Sequence, residues 1–252
     1  MKKLVLCFFS LVLFASCSSD DSSSNATGGG ESKTELKLKS VEFGEIGTDP
    51  SNNEMKYKTT IEYFYGSNGY VNKIKTHEET TNLVEYEYFE YEGNNIIQWR
   101  YEVDGRQVKS DFFYTDNLIT KSINTEENGP HINVYEYDSA KNLITAIYTN
   151  ESDNFVRTSR FTYDTNGNVT KETIDYTDGT QIIHTYEFDQ KNHPFTHMFP
   201  KNYLKRLSIG KHNKITEKQD GVTQTTTTYE YNDLGYPIKE IYEYKTIHYT
   251  YY

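Results

Sequence analysis

The sequence is poor in the residues that usually staple, kink or anchor a core. Its 252 residues include two Cys, one Trp, three Met and five Pro. Cys7 lies in the apolar run Leu4 to Phe14, which is too short to span a bilayer, since that takes about 20 residues. Positive charge is also scarce. Without residues 1–16 the chain has 24 basic residues against 37 acidic ones, a net of −13. A chain of that sign repels nucleic acid and anionic membrane surfaces. No Gly-x-Ser-x-Gly elbow, His-Glu-x-x-His, P-loop or Gly-x-Gly-x-x-Gly is present, so nothing assigns an enzyme or a cofactor. Paired carboxylates are many, but in so acidic a chain they single out no glycosidase pair.

The start of the chain reads as an address. Lys2 and Lys3 precede the apolar run, and Ala15-Ser16-Cys17 forms a small-residue cleavage site. This segment resembles the bacterial lipobox, with Phe14 where Leu is usual. The resemblance implies a signal peptide over 1–16 and a lipid on Cys17. With Cys7 removed and Cys17 acylated, no disulfide remains possible. Residues 17–34 are Ser, Asp and Gly-rich, a composition of tethers. Ser19-Asp20-Asp21 is similar to the acidic export signal of surface lipoproteins in the Bacteroidota. The implied location is the outer membrane, facing outward, with the periplasmic face as the alternative.

What is abundant is Tyr, 24 in all, with many Thr; both favour strands and argue against disorder. The 218 residues from 35 to 252 suffice for one large domain. Phe161-Thr-Tyr-Asp-Thr-Asn-Gly-Asn-Val-Thr-Lys-Glu-Thr-Ile174 reads as a β-hairpin around the turn Asp164–Asn168. Variants recur. The aromatic before each turn is Tyr65, Tyr91, Tyr114, Tyr137, Tyr163, Phe188 and Tyr231, at spacings of 26, 23, 23, 26, 25 and 43. The last spacing is near two periods, with Ile209–Ile215 read as a degraded copy at its middle. Such a period marks stacked structural units.

The copies at Tyr135–Leu143, Phe161–Val169 and Tyr229–Pro237 resemble the Tyr-Asp (YD, or RHS) repeat. Both Tyr and Asp are kept at Asp138 and Asp164, while Asn232 replaces Asp in the third. Phe188–Phe195 is similar to a segment of small YD-like lipoproteins of the Bacteroidota. The implied fold is all-β: tandem hairpins forming one long, twisted and coiled antiparallel sheet of about fourteen to sixteen strands, either open or rolled toward a barrel. Tyr135/Tyr137, Phe161/Tyr163, Tyr186/Phe188 and Tyr229/Tyr231 share one face. Glu136, Thr162, Glu187 and Glu230 take the other, opposite Lys121, Lys171 and Lys239. Ile119, Val169 and Ile238 are the apolar positions of the return strands. Phe199–Leu207 reads as one or two helical turns capping an end of the sheet, and Ile241–Tyr252 as a final strand. Its aromatic end resembles that of outer-membrane barrels, but both faces are polar, which argues against a transmembrane barrel.

Few residues stand out as a site. Asp164, Asn166 and Asn168 have calcium-loop spacing without its glycine or its bidentate acid, and a turn explains them. His184, His193 and His197 lack carboxylate or Cys support, so no metal is expected. Asp138-Ser139-Ala140 looks like a short O-glycosylation signal of the same phylum. Trp99, Tyr101, Tyr148 and Tyr176 fall outside the aromatic-before-turn register, as candidate stacking platforms for sugars. YD repeats are often carbohydrate-associated. The expectation is a non-catalytic surface module that binds a glycan or a protein partner. The alternatives are a scaffold without a small ligand and a carboxylate-dependent hydrolase. A glycan module predicts these aromatics exposed together on one face, a scaffold predicts them buried, and a hydrolase predicts a concave site with two unlike carboxylates.

Overall fold

The computed structural model describes residues 35–46, 55–126, 129–150, 152, 154–243 and 245–252. Cys17, Ser19, Asp20 and Asp21, the signal peptide and the tether lie outside the described residues.

The strands run in antiparallel succession. They are β1 (Leu38–Ile46), β2 (Met55–Tyr65), β3 (Val71–Glu78), β4 (Leu83–Glu92), β5 (Asn95–Val103) and β6 (Arg106–Thr115). There follow β7 (Leu118–Glu126), β8 (Gly129–Tyr137), β9 (Leu143–Asn150), β10 (Phe155–Tyr163), β11 (Val169–Tyr176) and β12 (Gln181–Phe188). A helix, α1 (Lys201–Arg206), precedes β13 (Lys214–Gln219), β14 (Val222–Tyr231), β15 (Pro237–Tyr242) and β16 (Lys245–Tyr251). Each strand pairs with the next, and β16 pairs back onto β1, from Leu38 opposite Tyr251 onward. The sheet is therefore a closed barrel, and closure removes the edge strands that an open sheet would expose. The final run is two strands rather than one: it turns at Glu243, whose φ of 51° is left-handed.

The recurring unit has a mechanical basis. Every strand that ends in a marker aromatic shifts register just before it, between Phe64 and Tyr65, Glu90 and Tyr91, Thr162 and Tyr163, and so on to Glu230 and Tyr231. Such a bulge re-aims the side chain that follows. The re-aimed Tyr hydroxyl then donates to a carbonyl at the start of the return strand one unit back. Tyr91 reaches Val71 O at 2.6 Å, Tyr114 reaches Ile96 O at 2.8 Å, Tyr137 reaches Ile119 O at 2.8 Å and Tyr163 reaches Leu143 O at 2.6 Å. Tyr65 closes the series on Leu38 O at 2.8 Å. Five units are thus each clasped by one hydroxyl to the strand one unit back, whereas Phe188 has none to give and Tyr231 donates to Asp189 Oδ2. The residue after the aromatic holds the turn: Asp164 Oδ1 accepts from the backbone N–H groups of Asn166 and Asn168, both at 2.8 Å. Asn232 does the same for Leu234 and Tyr236, at 3.0 Å each. These are side-chain turns, as the spacing suggested.

The same rule explains the long spacing of 43, and corrects its reading as a degraded copy. Asp189 N donates to Asn213 O at 3.0 Å, as Asp164 N does to Asn168 O at 2.9 Å. Asn213 N returns to Asp189 Oδ1 at 3.0 Å. Asp189 and Asn213 thus form one ordinary turn whose middle has grown to 23 residues where the others have three. Without the twenty extra residues the spacing of 43 becomes 23, a normal period.

That grown turn folds into the barrel end as a plug. Met198, Phe199, Tyr203, Leu204 and Ile209 are buried against the inward ring of Tyr63, Val71, Phe89, Ile96, Phe112 and Ile119. Phe199 meets Phe89 at 4.9 Å between centroids, and Tyr203 meets Phe112 edge-on at 5.6 Å. Pro200 opens α1, as Pro suits a helix start, so the helical reading of Phe199–Leu207 stands. The helix fills a barrel mouth rather than covering a sheet edge. Asn202 Nδ2 ties it to the wall through Asn95 Oδ1 at 2.6 Å. Barrels of this strand number leave an open channel unless something occupies it, and here the apolar core gathers around the plug, with Ile174 on β11 buried outside that cluster. Ile238 does not join that core: Pro237 is the buried residue of its copy, and Ile238 is 40 % exposed. It follows the bulge between Glu230 and Tyr231 and so points outward.

Candidate functional site

Away from the plug, inward positions follow from the two-residue strand period. Stepping back from the ring aromatics along β4, β6, β8, β10 and β12 gives Glu87, Ser110, Asn133 with His131, Ser159 with Arg157, and His184. Stepping forward past the bulge gives Trp99 and Tyr101 on β5, Ser122 and Asn124 on β7, Tyr148 on β9, Glu172 and Tyr176 on β11, and Glu240 on β15. The inner wall of the unplugged half is therefore largely polar and aromatic, with Ile74 and Ile174 as buried apolar members, where the plugged half is apolar.

All four aromatics singled out by register, Trp99, Tyr101, Tyr148 and Tyr176, lie on this inner wall and are half-buried. The structure gathers them in two groups. On β5, Trp99 stacks on Tyr101 with centroids 6.2 Å apart and planes at 16°, and its indole N–H donates to Glu87 Oε2 at 2.7 Å. Four strands away, Tyr148 bonds to His131 Nδ1 and meets Phe155 edge-on at 6.0 Å. Phe155 in turn lies 6.0 Å from Tyr176, and the Arg157 guanidinium lies 5.7 Å from the Tyr148 centroid. The expectation of these aromatics exposed together on one face is thus corrected: they form two half-buried groups that face inward, because the residues that leave the turn register still keep strand parity.

The sequence reading missed the polar partners of these rings. Glu87, Glu172 and Glu240 sit in the wall with carboxyl groups raised above the usual range, in each case first by burial. Each already has a donor: Trp99 for Glu87, the Tyr186 hydroxyl at 3.2 Å for Glu172, and the Tyr249 hydroxyl for Glu240. Glu217 accepts from Lys214 Nζ at 2.5 Å and faces His184 Nδ1 at 3.1 Å. Glu172 and Glu240 stand four strands apart, about 19 Å along the wall at roughly 4.8 Å per strand, and Glu217 on β13 lies midway, roughly 10 Å from each. Glycosidase pairs stand about 5–10 Å apart. These carboxylates were legible only as members of an acidic chain; their position two residues behind a ring aromatic, or three past a buried return-strand residue, is the signal that finds them.

The His cluster is dispersed. His184 is on the wall, His193 is inside the plug, and His197 Nδ1 pairs with Glu35 at 3.3 Å. Burial pushes the His193 imidazole down to about 4. Among the described residues no group of three His, Cys, Asp or Glu side chains is arranged to hold a metal ion. Nor is any helix there long and apolar enough to cross a membrane, which says nothing of strands. Ser139 is exposed in its turn.

The outer face is a ladder of charges. Lys75 meets Glu62 at 3.0 Å, Lys218 meets Glu187 at 2.8 Å and Lys239 meets Glu230 at 3.2 Å, each across neighbouring strands of one hairpin or its junction. Arg100 lies between Glu90 and Glu102.

No family model matches the chain, and no curated protein sequence does. Solved structures do resemble it. A porin-like protein from Bacteroides uniformis ATCC 8492 aligns over 85 % of this chain and 98 % of that one, with a TM-score of 0.57 at 14 % identity. A porin-like protein from Bacteroides vulgatus ATCC 8482 aligns over 86 % and 99 %, with a TM-score of 0.42 at 11 % identity. A Photorhabdus luminescens Tc holotoxin pore structure aligns over 82 % of this chain and 11 % of that one, with a TM-score of 0.30 at 13 % identity. The first of these likenesses shows a shared all-β, antiparallel barrel fold.

Proposed function

We propose that this chain is a non-catalytic lipoprotein of the outer membrane, displayed at the cell surface, whose barrel binds a glycan in its unplugged half. The observation that carries the reading is the placement of Trp99, Tyr101, Tyr148 and Tyr176 on the inner wall beside carboxylates and a guanidinium. Flat aromatic faces stack on sugar rings, and the polar groups between them match hydroxyls. The carboxylates are engaged by Trp and Tyr donors, which favours a binding wall over a hydrolytic pair.

The barrel itself stands in water. A lipid-facing strand surface must be apolar over a band about 25 Å tall, and a Lys or Arg at its middle costs about 2–4 kcal/mol. The ladder Lys75–Glu62, Lys218–Glu187 and Lys239–Glu230 occupies that surface here. Attachment therefore falls to Cys17 and the segment 17–34. Glu35 contacts His197 of the plug, and Lys37 Nζ donates to Gly69 O at 2.8 Å, so the chain enters at the plugged end. A lipid on Cys17 then sets the plug toward the membrane and the polar mouth away from it. The repeat is read as YD-like, its Tyr a clasp and its Asp a turn holder.

The test is a glycan-array screen of residues 35–252 with Trp99→Ala alongside. Binding that is lost in the folded variant supports the module. Silence across the array with folded protein overturns it in favour of a scaffold.

A further inference from the structure

The floor of the polar half is the upper side of the plug, and one charge there has no counter-charge. Arg206 ends α1 beneath β6, β7 and β8. Its guanidinium carbon lies 4.7 Å from the Tyr203 centroid, 5.0 Å from Phe112 and 5.9 Å from Tyr135. One N–H donates to the Tyr135 hydroxyl at 3.3 Å. The Nε atom is buried without an acceptor. That hydroxyl in turn contacts Ser122 Oγ at 3.1 Å, and Asn133 Nδ2 donates to the same Ser122 oxygen at 3.3 Å. Ser110 and Asn124 continue the patch, bonded at 2.7 Å. Every side chain in it is neutral.

The other interior cation near the plug is treated differently: Lys214 meets Glu217 at 2.5 Å. Among the described residues Arg206 forms no ion pair, although the wall offers carboxylates elsewhere. A guanidinium stays charged in any protein environment. Enclosing it without an anion is costly, and aromatic faces offset only about 1–2 kcal/mol of that cost. Its planar fork matches a carboxylate through two parallel hydrogen bonds.

We infer that the ligand is anionic: the barrel takes an acidic saccharide, its carboxylate seated on Arg206 and the Ser122–Asn133 patch, its rings against the wall aromatics. This rests on the glycan reading and narrows it to sugars bearing a carboxylic acid. The lining of β6–β8 next to Arg206 is neutral, which fits the same ligand, since a nearby Glu would repel it. The inward carboxylate of these strands, Glu126, stands at the far end of β7, four residues beyond Ser122, against His131 at 3.8 Å.

The test is titration calorimetry on the full chain in mild detergent. One pair of probes is trigalacturonic acid and its trimethyl ester, and the other is 3′-sialyllactose and lactose. The expected result is at least tenfold tighter binding of one acid than of its neutral partner. Arg206→Met should abolish that preference and Arg206→Lys should keep part of it. Equal affinity within both pairs, or an unchanged preference in Arg206→Met, overturns the inference and leaves the glycan reading standing. No heat from any of the four sugars overturns the inference, and the array screen then decides the glycan reading alone. Should Arg206→Met fail to fold, the acid-to-neutral ratio of the unmodified chain decides alone.

Discussion

The two halves of this barrel are made by the same sixteen strands and obey different rules. Near the plug the units share the same parts: a ring aromatic and a bulge throughout, a clasping Tyr from Tyr65 to Tyr163, and a turn-holding Asp or Asn from Asp138 onward. Toward the open mouth the same strands carry Trp, Glu, His, Arg, Ser or Asn with no shared pattern from unit to unit. The difference separates two tasks. The periodic half supplies cohesion, through an apolar ring closed over Phe199, Tyr203 and Leu204. The aperiodic half closes over no apolar ring: inward Ser110, Ser122, Ser159 and Glu172 are buried yet polar, and they differ strand by strand.

The most direct way to break that division is to truncate an aromatic in each half. Tyr203 is buried between Phe89, Phe112 and Phe199. Tyr203→Ala should lower unfolding free energy by about 3–5 kcal/mol, the usual cost of emptying a buried aromatic site. Tyr148→Ala, on the half-buried wall, should cost about 1 kcal/mol. Denaturant unfolding of both variants measures the contrast, and equal losses would mean that the core extends through the mouth.

Acid should sharpen the same contrast, because titration acts with opposite sign in the two halves. His193 in the plug is held neutral in the folded chain, with its pKa lowered from 6.5 to about 4. Between those values the unfolded chain binds a proton that the folded chain does not. Stability from this group is complete above pH 6.5 and falls as pH drops toward 4, by roughly 3 kcal/mol at most. Glu87, Glu172 and Glu240 are raised instead. They favour the folded state when protonated, so their contribution grows on acidification and is lost as pH rises. Hydrogen exchange at pH 7 and pH 5, corrected for intrinsic rate, should show plug amides such as Leu204 opening more at the lower pH while wall amides near Glu172 do not. His193→Gln should flatten the plug's pH dependence.

A smaller effect tests the clasp. Tyr137→Phe removes the donor to Ile119 O, a loss of about 1–2 kcal/mol. The same change at Tyr176, which leaves no buried carbonyl behind, should cost less than half of that. The chain has an internal precedent: Phe188 stands at the clasp position of one unit. That unit is the one whose turn carries the plug, which supplies other contacts in its place.

How far the sequence could be read follows the same boundary. Hairpin units, the shared face of Tyr135 and Tyr137, the turn at Asp164 and the short helix were legible because each is local and is set by strand period or turn chemistry. Closure was not, since pairing of β16 with β1 joins residues more than 200 positions apart and leaves no local trace. The spacing of 43 misled because a period counts residues, whereas the turn is defined by Asp189 and Asn213 meeting across the plug. Trp99, Tyr101, Tyr148 and Tyr176 were found by departing from the repeat, but their inward direction depends on the bulge, which shifts parity by one between Ile96 and Trp99. Arg206 gave no signal at all: its meaning lies in what does not surround it.

The smallest expected effect bears on where the barrel stands. Lys239→Gln breaks the exposed pair with Glu230 at 3.2 Å, and exposed pairs contribute about 0–1 kcal/mol. In water the variant should unfold within about 0.5 kcal/mol of the parent, and added detergent should leave that difference unchanged. A strand surface facing lipid would behave otherwise, because replacing a charge there with an amide removes a cost of about 2–4 kcal/mol and would stabilise the protein in detergent. The plugged and open halves share this outer wall, so Lys75→Gln, on the far side of the closure seam, should give the same small number. Agreement between the two places the wall on both sides of the closure seam in water, as membrane attachment through the segment that precedes β1 requires.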